Sequence, residues 1–273
     1  MPKLICPVCG EVLTEEPRLC RCKNGHSFDR AASGYVNLLI AKQNGKIHGD
    51  DKAMVRARRD FLDAGYYEPL RRALCTEILN HADSGKLSLL DAGCGECWYT
   101  SEIKRTLEEA GIRADTVGID ISKEALKLGG KRDRSLRLAV ASAYRLPVAD
   151  ESCDVITNVF APFAGEEYLR CLRSGGILLH VSPDERHLWE LKEAVYERPY
   201  LNDAAPPVQE GLELCREQNL KFRINIEKNS EIKALFMMTP YAHKTSPEDM
   251  ARLDSMEKLL VEAEFIIRTY KKS

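Results

Sequence analysis

The sequence predicts an α/β fold, a mostly parallel sheet covered by helices, with a small metal-binding module ahead of it. Three observations predict this. From about residue 87, short apolar runs alternate with helix-patterned stretches; the first run ends in a glycine-rich loop, Asp91-Ala-Gly93-Cys-Gly95; and Cys/His pairs recur within the first thirty residues. With 273 residues, 44% apolar and 30% charged, the chain can bury one full core plus a small module.

The front module comes first. Cys6-x2-Cys9 offers two thiolates from one tight turn, and Cys22-x3-His26 returns a second pair after twelve intervening residues, which makes a Cys3His tetrahedron. Cys20 is a rival to Cys22, whose spacing to His26 is the better one. Four ligands with no open position make such a zinc structural, so it folds the segment and does no chemistry. The competing reading is a set of core thiols beside an unrelated histidine. Six further cysteines (75, 94, 97, 153, 171, 215) are scattered and read as small buried apolar residues in a reducing compartment.

Behind His26, "SFDRAASGYVNLL" and "AKQNGKIHGDDK" form a polar stretch without apolar periodicity, which reads as a mobile loop or linker. Residues 51–82 then carry apolar positions at helical intervals, interrupted at Gly65 and Pro69. Two helices follow from this, the first bearing Arg56, Arg58 and Arg59. The expected division is therefore a zinc module at 1–35, a linker with helices at 36–86 and a main domain at 87–273.

In that domain "LSLLDAG", "ADTVGID", "LRLAVAS", "CDVITNVFA" and "GGILLHVSP" are the strand candidates of a parallel sheet; "LKFRINIEK" and "AEFIIRTYKKS" close it as an antiparallel pair. Ligands in such sheets sit beyond the carboxyl ends of the strands near the topological switch point. The loop after the first strand is therefore the place to look. A dinucleotide site wants G-x-G-x-x-G, and here the third glycine position is Trp98, which speaks against hydride chemistry. An acid ahead of the glycines suits a cofactor with a cationic amino end and no phosphate, such as S-adenosylmethionine. Asp120 ends the second strand, where a carboxylate can accept two ribose hydroxyls; its other reading is the N-cap of the next helix, which Ser122 could equally supply.

At this point "LLDAGCGECWYT", "VGIDIS", "ASAYRLPVADESCDVITNVFAP" and "LRSGGILLHVSP" resemble the successive motifs of class I S-adenosylmethionine-dependent methyltransferases. The front, "CPVCG…CKNGHSFDRAASGYVNLL" followed by "GDDKAMVRARRDFLDAGYYEPL", resembles the zinc-containing 23S rRNA guanine-N1 methyltransferases, which modify a hairpin loop. The resemblance implies a Rossmann-like, seven-stranded sheet. It also implies zinc on Cys6, Cys9, Cys22 and His26, and cofactor contacts at Asp91, Gly93, Gly95, Asp120, Ile121, Ser142, Ala143 and Asn158, with 158–162 lining the substrate side of the methyl group. The 23S rRNA hairpin is the implied partner and two copies are implied to pair. Two departures stand out: Cys97 where many class I loops have a third glycine, and Ser142 where many have an acid. Cysteine fits unless the backbone needs a positive φ.

Guanine N1 carries a proton at neutral pH, so its methylation requires an acceptor, which the sequence leaves unassigned. N1 lies on the Watson–Crick edge, so the base must be unpaired or flipped, and Trp98, Tyr99, Phe160 and Phe163 are candidates to stack on it. Tyr241 and His243, in a loop after the helix at "EIKALFMM", are further substrate-side candidates. Residues 1–60 hold 11 Lys/Arg against 7 Asp/Glu, and Arg18, Arg21, Lys23, Lys42 and Lys46 are placed to grip RNA. The plainer reading is a zinc module that covers the pocket or braces a dimer. Two other functions compete: a small-molecule methyltransferase, and a non-catalytic RNA-binding protein that keeps the fold. No apolar run reaches eighteen residues and no signal-peptide pattern opens the chain, which leads to an expectation of a cytoplasmic, non-membrane protein.

Overall fold

The structure is a computed structural model that describes residues 2–40, 51–82, 85–242 and 245–273. The front module is a three-stranded antiparallel sheet of β1 (Leu13–Glu15), β2 (Leu19–Cys22) and β3 (Ser27–Asp29). β4 (Tyr35–Asn37) follows, then helices α1 (Lys52–Asp63) and α2 (Glu68–Asn80). Asp51 caps α1 by accepting the Met54 N–H at 2.9 Å, and Pro69 falls in the first turn of α2, where a missing N–H costs nothing.

The expected strands of the main domain are all present: β5 (Lys86–Ala92), β6 (Arg113–Asp120), β7 (Arg137–Val140), β8 (Cys153–Val159) and β9 (Leu172–Pro183). Between and behind them run α3 (Trp98–Glu109), α4 (Lys123–Arg132), α5 (Gly165–Cys171) and α6 (Trp189–Val195). The chain ends with β10 (Leu212–Ile226), α7 (Asn229–Met237), α8 (Pro247–Ala251) and β11 (Leu259–Lys272). Strand order is β10-β11-β9-β8-β5-β6-β7-β4; β11 lies antiparallel to both neighbours and the other pairs are parallel. Seven of these strands are the expected sheet. The eighth, β4, comes from the stretch read as linker: Tyr35–Asn37 pair with Leu138–Val140 and extend the edge, across the boundary expected at residue 35.

Because strand side chains alternate, each central strand feeds two cores. Leu87, Leu89, Val155 and Leu179 pack under α2 and α3 with Ile78, Ile103 and Leu107. Leu90, Ala92, Ile156 and Leu178 point the other way, into a core shared with Tyr168 of α5 and with Leu4, Leu13 and Cys20 of the front module. The module is therefore docked on the sheet and not merely tethered. Its N-terminal segment bonds to the main domain at Ile5 N–H to Pro147 O and Ala149 N–H to Lys3 O, each 2.9 Å. Glu15 completes the junction, accepting from Arg137 Nε at 2.7 Å and from Arg30 at 2.8 Å. No helix among the described residues is long and apolar enough to cross a membrane.

Candidate active site and metal centre

Cys6, Cys9, Cys22 and His26 bring one ligand atom each to within 4.8 Å of one another. Cys9 Sγ lies 3.7 Å from Cys22 Sγ, which lies 3.4 Å from His26 Nδ1. Thiolates held tetrahedrally at ~2.3 Å from zinc stand about 3.8 Å apart, so this spacing fits that ion without rearrangement. The Glu11 N–H draws the Cys9 thiol down to about 6, toward the thiolate a metal needs. Cys20 is not part of the cluster: it is fully buried, with Arg30 3.3 Å from its sulfur. Position along the strand explains the choice: Cys20 and Cys22 share a face of β2, but only Cys22, its last residue, reaches the turn that carries His26.

At the carboxyl ends of β5, β6 and β7, where the sheet order switches direction, lies a cavity of about 310 Å³. Gly93, Gly95, Asp120, Ile121, Ser142 and Ala143, six of the eight expected cofactor residues, line it. Gly93 has φ +99°, and a Cβ there would collide with that of Ala161, so the loop can lie this close only as glycine. Asp120 accepts the Gly95 N–H at 2.8 Å and the Ser122 N–H at 2.7 Å, one on each oxygen, which fixes its carboxylate at the cavity wall. Ser122, accepting the Ala125 N–H at 3.3 Å, is the cap of α4, which settles that alternative. Ser142 is buried beside the cavity, its Oγ accepting the Tyr144 N–H. Tyr144, which the sequence reading passed over, is the most exposed aromatic of the lining.

Asp91 and Asn158 stand behind this wall. Asp91 is buried, takes the Thr100 hydroxyl on Oδ2, and its Oδ1 has no partner among the described residues. Burial pushes it up to about 6. An orphaned carboxylate oxygen under the glycine loop is what a cationic amino group would compensate, so these residues fit S-adenosylmethionine. When bound, that cofactor supplies an electrophilic methyl group on a sulfonium. Cys97 is the strained point: it opens α3 at φ +63°, so the backbone does need the positive φ that glycine would take freely. Its sulfur packs where a Cβ on Gly129 would sit, which holds α4 against the loop.

A second cavity, about 440 Å³, opens on the other side of Phe160, Ala161 and Pro162, which wall both. Arg58 of α1 and Tyr99 of α3 also border both spaces. Phe160 is held at φ +55° with 45% of its surface exposed, a strained aromatic at the junction. Of the stacking candidates, Tyr99 and Phe160 reach the junction; Trp98 lines only the cofactor side, under the Arg71 guanidinium at 4.1 Å. Phe163 is not a lining residue and packs edge-on against His180 and Tyr168. Tyr241 lines the second cavity, joined by His180, His187 and Tyr67, none of which the sequence reading singled out. Arg18, Arg21 and Lys23 are exposed, but Arg21 pairs with Glu16 and Lys23 with Glu11, each at 2.9 Å. Lys42, Lys46 and His243 lie outside the described residues.

A parallel sheet with this strand order, an acid-glycine loop and a strand-two acid facing one cavity defines a class I S-adenosylmethionine-dependent methyltransferase. The methyltransferase-domain family matches residues 90–180, and the family described as "RlmA, N-terminal", a zinc ribbon, matches residues 4–45. The 23S rRNA (guanine(748)-N(1))-methyltransferase of Streptomyces fradiae is 31% identical over 91% of this chain and 89% of its own length. A relative from Micromonospora griseorubida that carries guanine-N1 methylation of 23S rRNA in its name is 37% identical over 70% of this chain and 69% of its own. Among solved structures, the YcgJ protein of Bacillus subtilis superposes with TM-score 0.50 at 16% identity, over 74% of this chain and 98% of that one, and shares the fold. The chain belongs to the family of zinc-containing 23S rRNA (guanine-N1)-methyltransferases.

Proposed function

We propose that this protein moves the methyl group of S-adenosylmethionine to N1 of a guanine in a hairpin loop of 23S rRNA, in the cytoplasm. The observation that carries the reading is the pair of cavities sharing the Phe160–Pro162 wall, one lined by the cofactor motif and one mainly by aromatic, apolar and neutral polar side chains with Arg58 at its border. A flipped base in the second cavity would stack on Phe160 or Tyr99 with its Watson–Crick edge toward the shared wall. In this reading Gly93, Gly95, Asp120, Ile121, Ser142 and Ala143 hold the cofactor, Asp91 faces its amino end, and Asn158 supports the wall from behind.

The chain divides into a ribbon at 1–35, a connecting segment at 36–86 and a catalytic domain at 87–273, with zinc on Cys6, Cys9, Cys22 and His26. The ribbon's place beside residues 141–147 supports a role as a platform for RNA next to the pocket. Pairing of two copies belongs to the same proposal, and sedimentation of the zinc-loaded protein tests it. The reaction is tested by supplying labelled cofactor and an unmodified 23S rRNA fragment, digesting to nucleosides and identifying the labelled one. N1-methylguanosine is expected. Label on another nucleoside, or only on a small acceptor, would refute the reading.

A further inference from the structure

His180 stands inside β9 in an otherwise apolar run, Leu178-Leu179-His180-Val181, and it lines the second cavity just behind the shared wall. Its register partners are Asn158 of β8 on one side and Arg268 of β11 on the other. The hydrogen bonds around it fix which nitrogen is protonated. Tyr168 gives its hydroxyl proton to Pro162 O at 3.0 Å, so its oxygen must accept from Asn158 Nδ2, 2.8 Å away. Nδ2 also donates to Ala92 O at 3.1 Å. Asn158 therefore turns Oδ1 to the histidine, 2.7 Å from Nδ1, and the proton of that bond belongs to the imidazole. Nε2 is left as a bare lone pair, without a hydrogen-bond partner among the described residues.

We propose that His180 is the catalytic residue that accepts the guanine N1 proton, with Asn158 as the positioning residue that holds its tautomer. The proposal rests on the guanine-N1 reading. As the N1–H bond breaks, its electron pair stays on N1 and forms the bond to the methyl carbon. The carbon–sulfur pair goes to sulfur, which leaves as a neutral thioether, and the proton goes to Nε2. The resulting imidazolium keeps its Nδ1–H on the Asn158 carbonyl and passes the extra proton to water. Burial lowers His180 to about 4 and the facing Arg268 pushes the same way, so the ring is neutral and ready throughout the neutral range. Arg268 is itself paired with Glu217 at 2.7 Å; the other groups packed on His180, Asn158, Phe163 and Tyr168, are uncharged there. An imidazole of this low basicity takes the proton in step with methyl transfer, without holding a stable charge beforehand.

The test is single-turnover methylation of the 23S fragment by the zinc-loaded enzyme from pH 6 to 9, comparing wild type with His180→Gln. The variant should lose about 10²-fold or more in rate, as removal of a general base does, with cofactor Kd and RNA KM within about threefold. Its residual rate should climb about tenfold per pH unit as guanine N1 ionises unaided, whereas the wild-type rate stays flat. Full activity in the variant, or a loss that does not change with pH, overturns the assignment. Nitrogen NMR of the imidazoles in the wild-type enzyme keeps the question open to test if the variant misfolds: a neutral His180 protonated on Nε2 also overturns it. Should the wild type place its methyl anywhere but guanine N1, the substrate reading falls and this one falls with it, whereas a wild type that makes N1-methylguanosine beside an unimpaired variant sinks the histidine alone.

Discussion

The zinc centre and the second cavity are built in opposite ways. All four metal ligands come from one stretch of 21 residues, Cys6 to His26, and their relation is set by two turns. The cavity beside Phe160 draws on α1, α3, the loop after β8, β9 and the loop after α7, so its relation is set by the whole fold. A site closed by local turns can be assembled by its ligand alone, while one gathered from five elements exists only once the sheet is in register. The ribbon nevertheless shares its core with the sheet, which makes the local site depend on the distant one for docking.

The largest way to break this contrast is to remove the metal. Replacing Cys9 and Cys22 with Ser should take zinc from one per chain to near none and unfold the ribbon, leaving the cooperative melting of the main sheet; unchanged metal content by elemental analysis would show the ligand set to be wrong. Next, Asp120→Ala should weaken S-adenosylmethionine binding by roughly 10- to 100-fold, about 1.5–3 kcal/mol of hydrogen bonds to a charged group, with RNA affinity nearly unchanged. Equal losses in calorimetric titrations of both ligands would count against the ribose role.

A third effect is a pH dependence. Burial raises Asp91 to about 6, so the carboxylate is protonated below that value and ionised above it. Cofactor affinity should therefore rise between pH 5 and 7, by up to about tenfold per unit, and Asp91→Asn should flatten the curve; a wild-type affinity independent of pH there would remove Asp91 from the amino end. The smallest is Cys97→Gly, which relieves a left-handed residue at about 1 kcal/mol but gives up the packing of its sulfur against Gly129. Stability should move by no more than ~1 kcal/mol with cofactor binding intact. A large loss of binding would mean that the thiol, and not the backbone shape, holds the loop.

The same contrast explains what was legible beforehand. β5, β6, β7, β8 and β9 announced themselves as apolar runs, and the Cys/His spacing announced the ribbon. β4 did not, because three residues, Tyr35 to Asn37, are too few to show a period, and only pairing with β7 makes them a strand. Asp120 can be placed at a strand end from the sequence, but that Ser122 and not Asp120 caps α4 is visible only in the structure. His180 is not legible in the sequence, because a lone histidine in an apolar run reads as core. The signal available was its position near the carboxyl end of a buried strand, and its meaning came from the cross-strand register with Asn158. In the sequence Arg58 is one of three arginines on a helix, while its place at the border of both cavities depends on how α1 docks.

On the proposed reading, one guanine N1 in a loop of 23S rRNA receives the methyl group. Reverse transcription across the 23S fragment after incubation with enzyme and cofactor tests it most directly, since a methyl on a Watson–Crick edge stops the polymerase. A single new stop beside one loop guanine, absent without cofactor, is the predicted result. Methyl incorporation with no stop, or stops spread over paired and unpaired guanines alike, would contradict it.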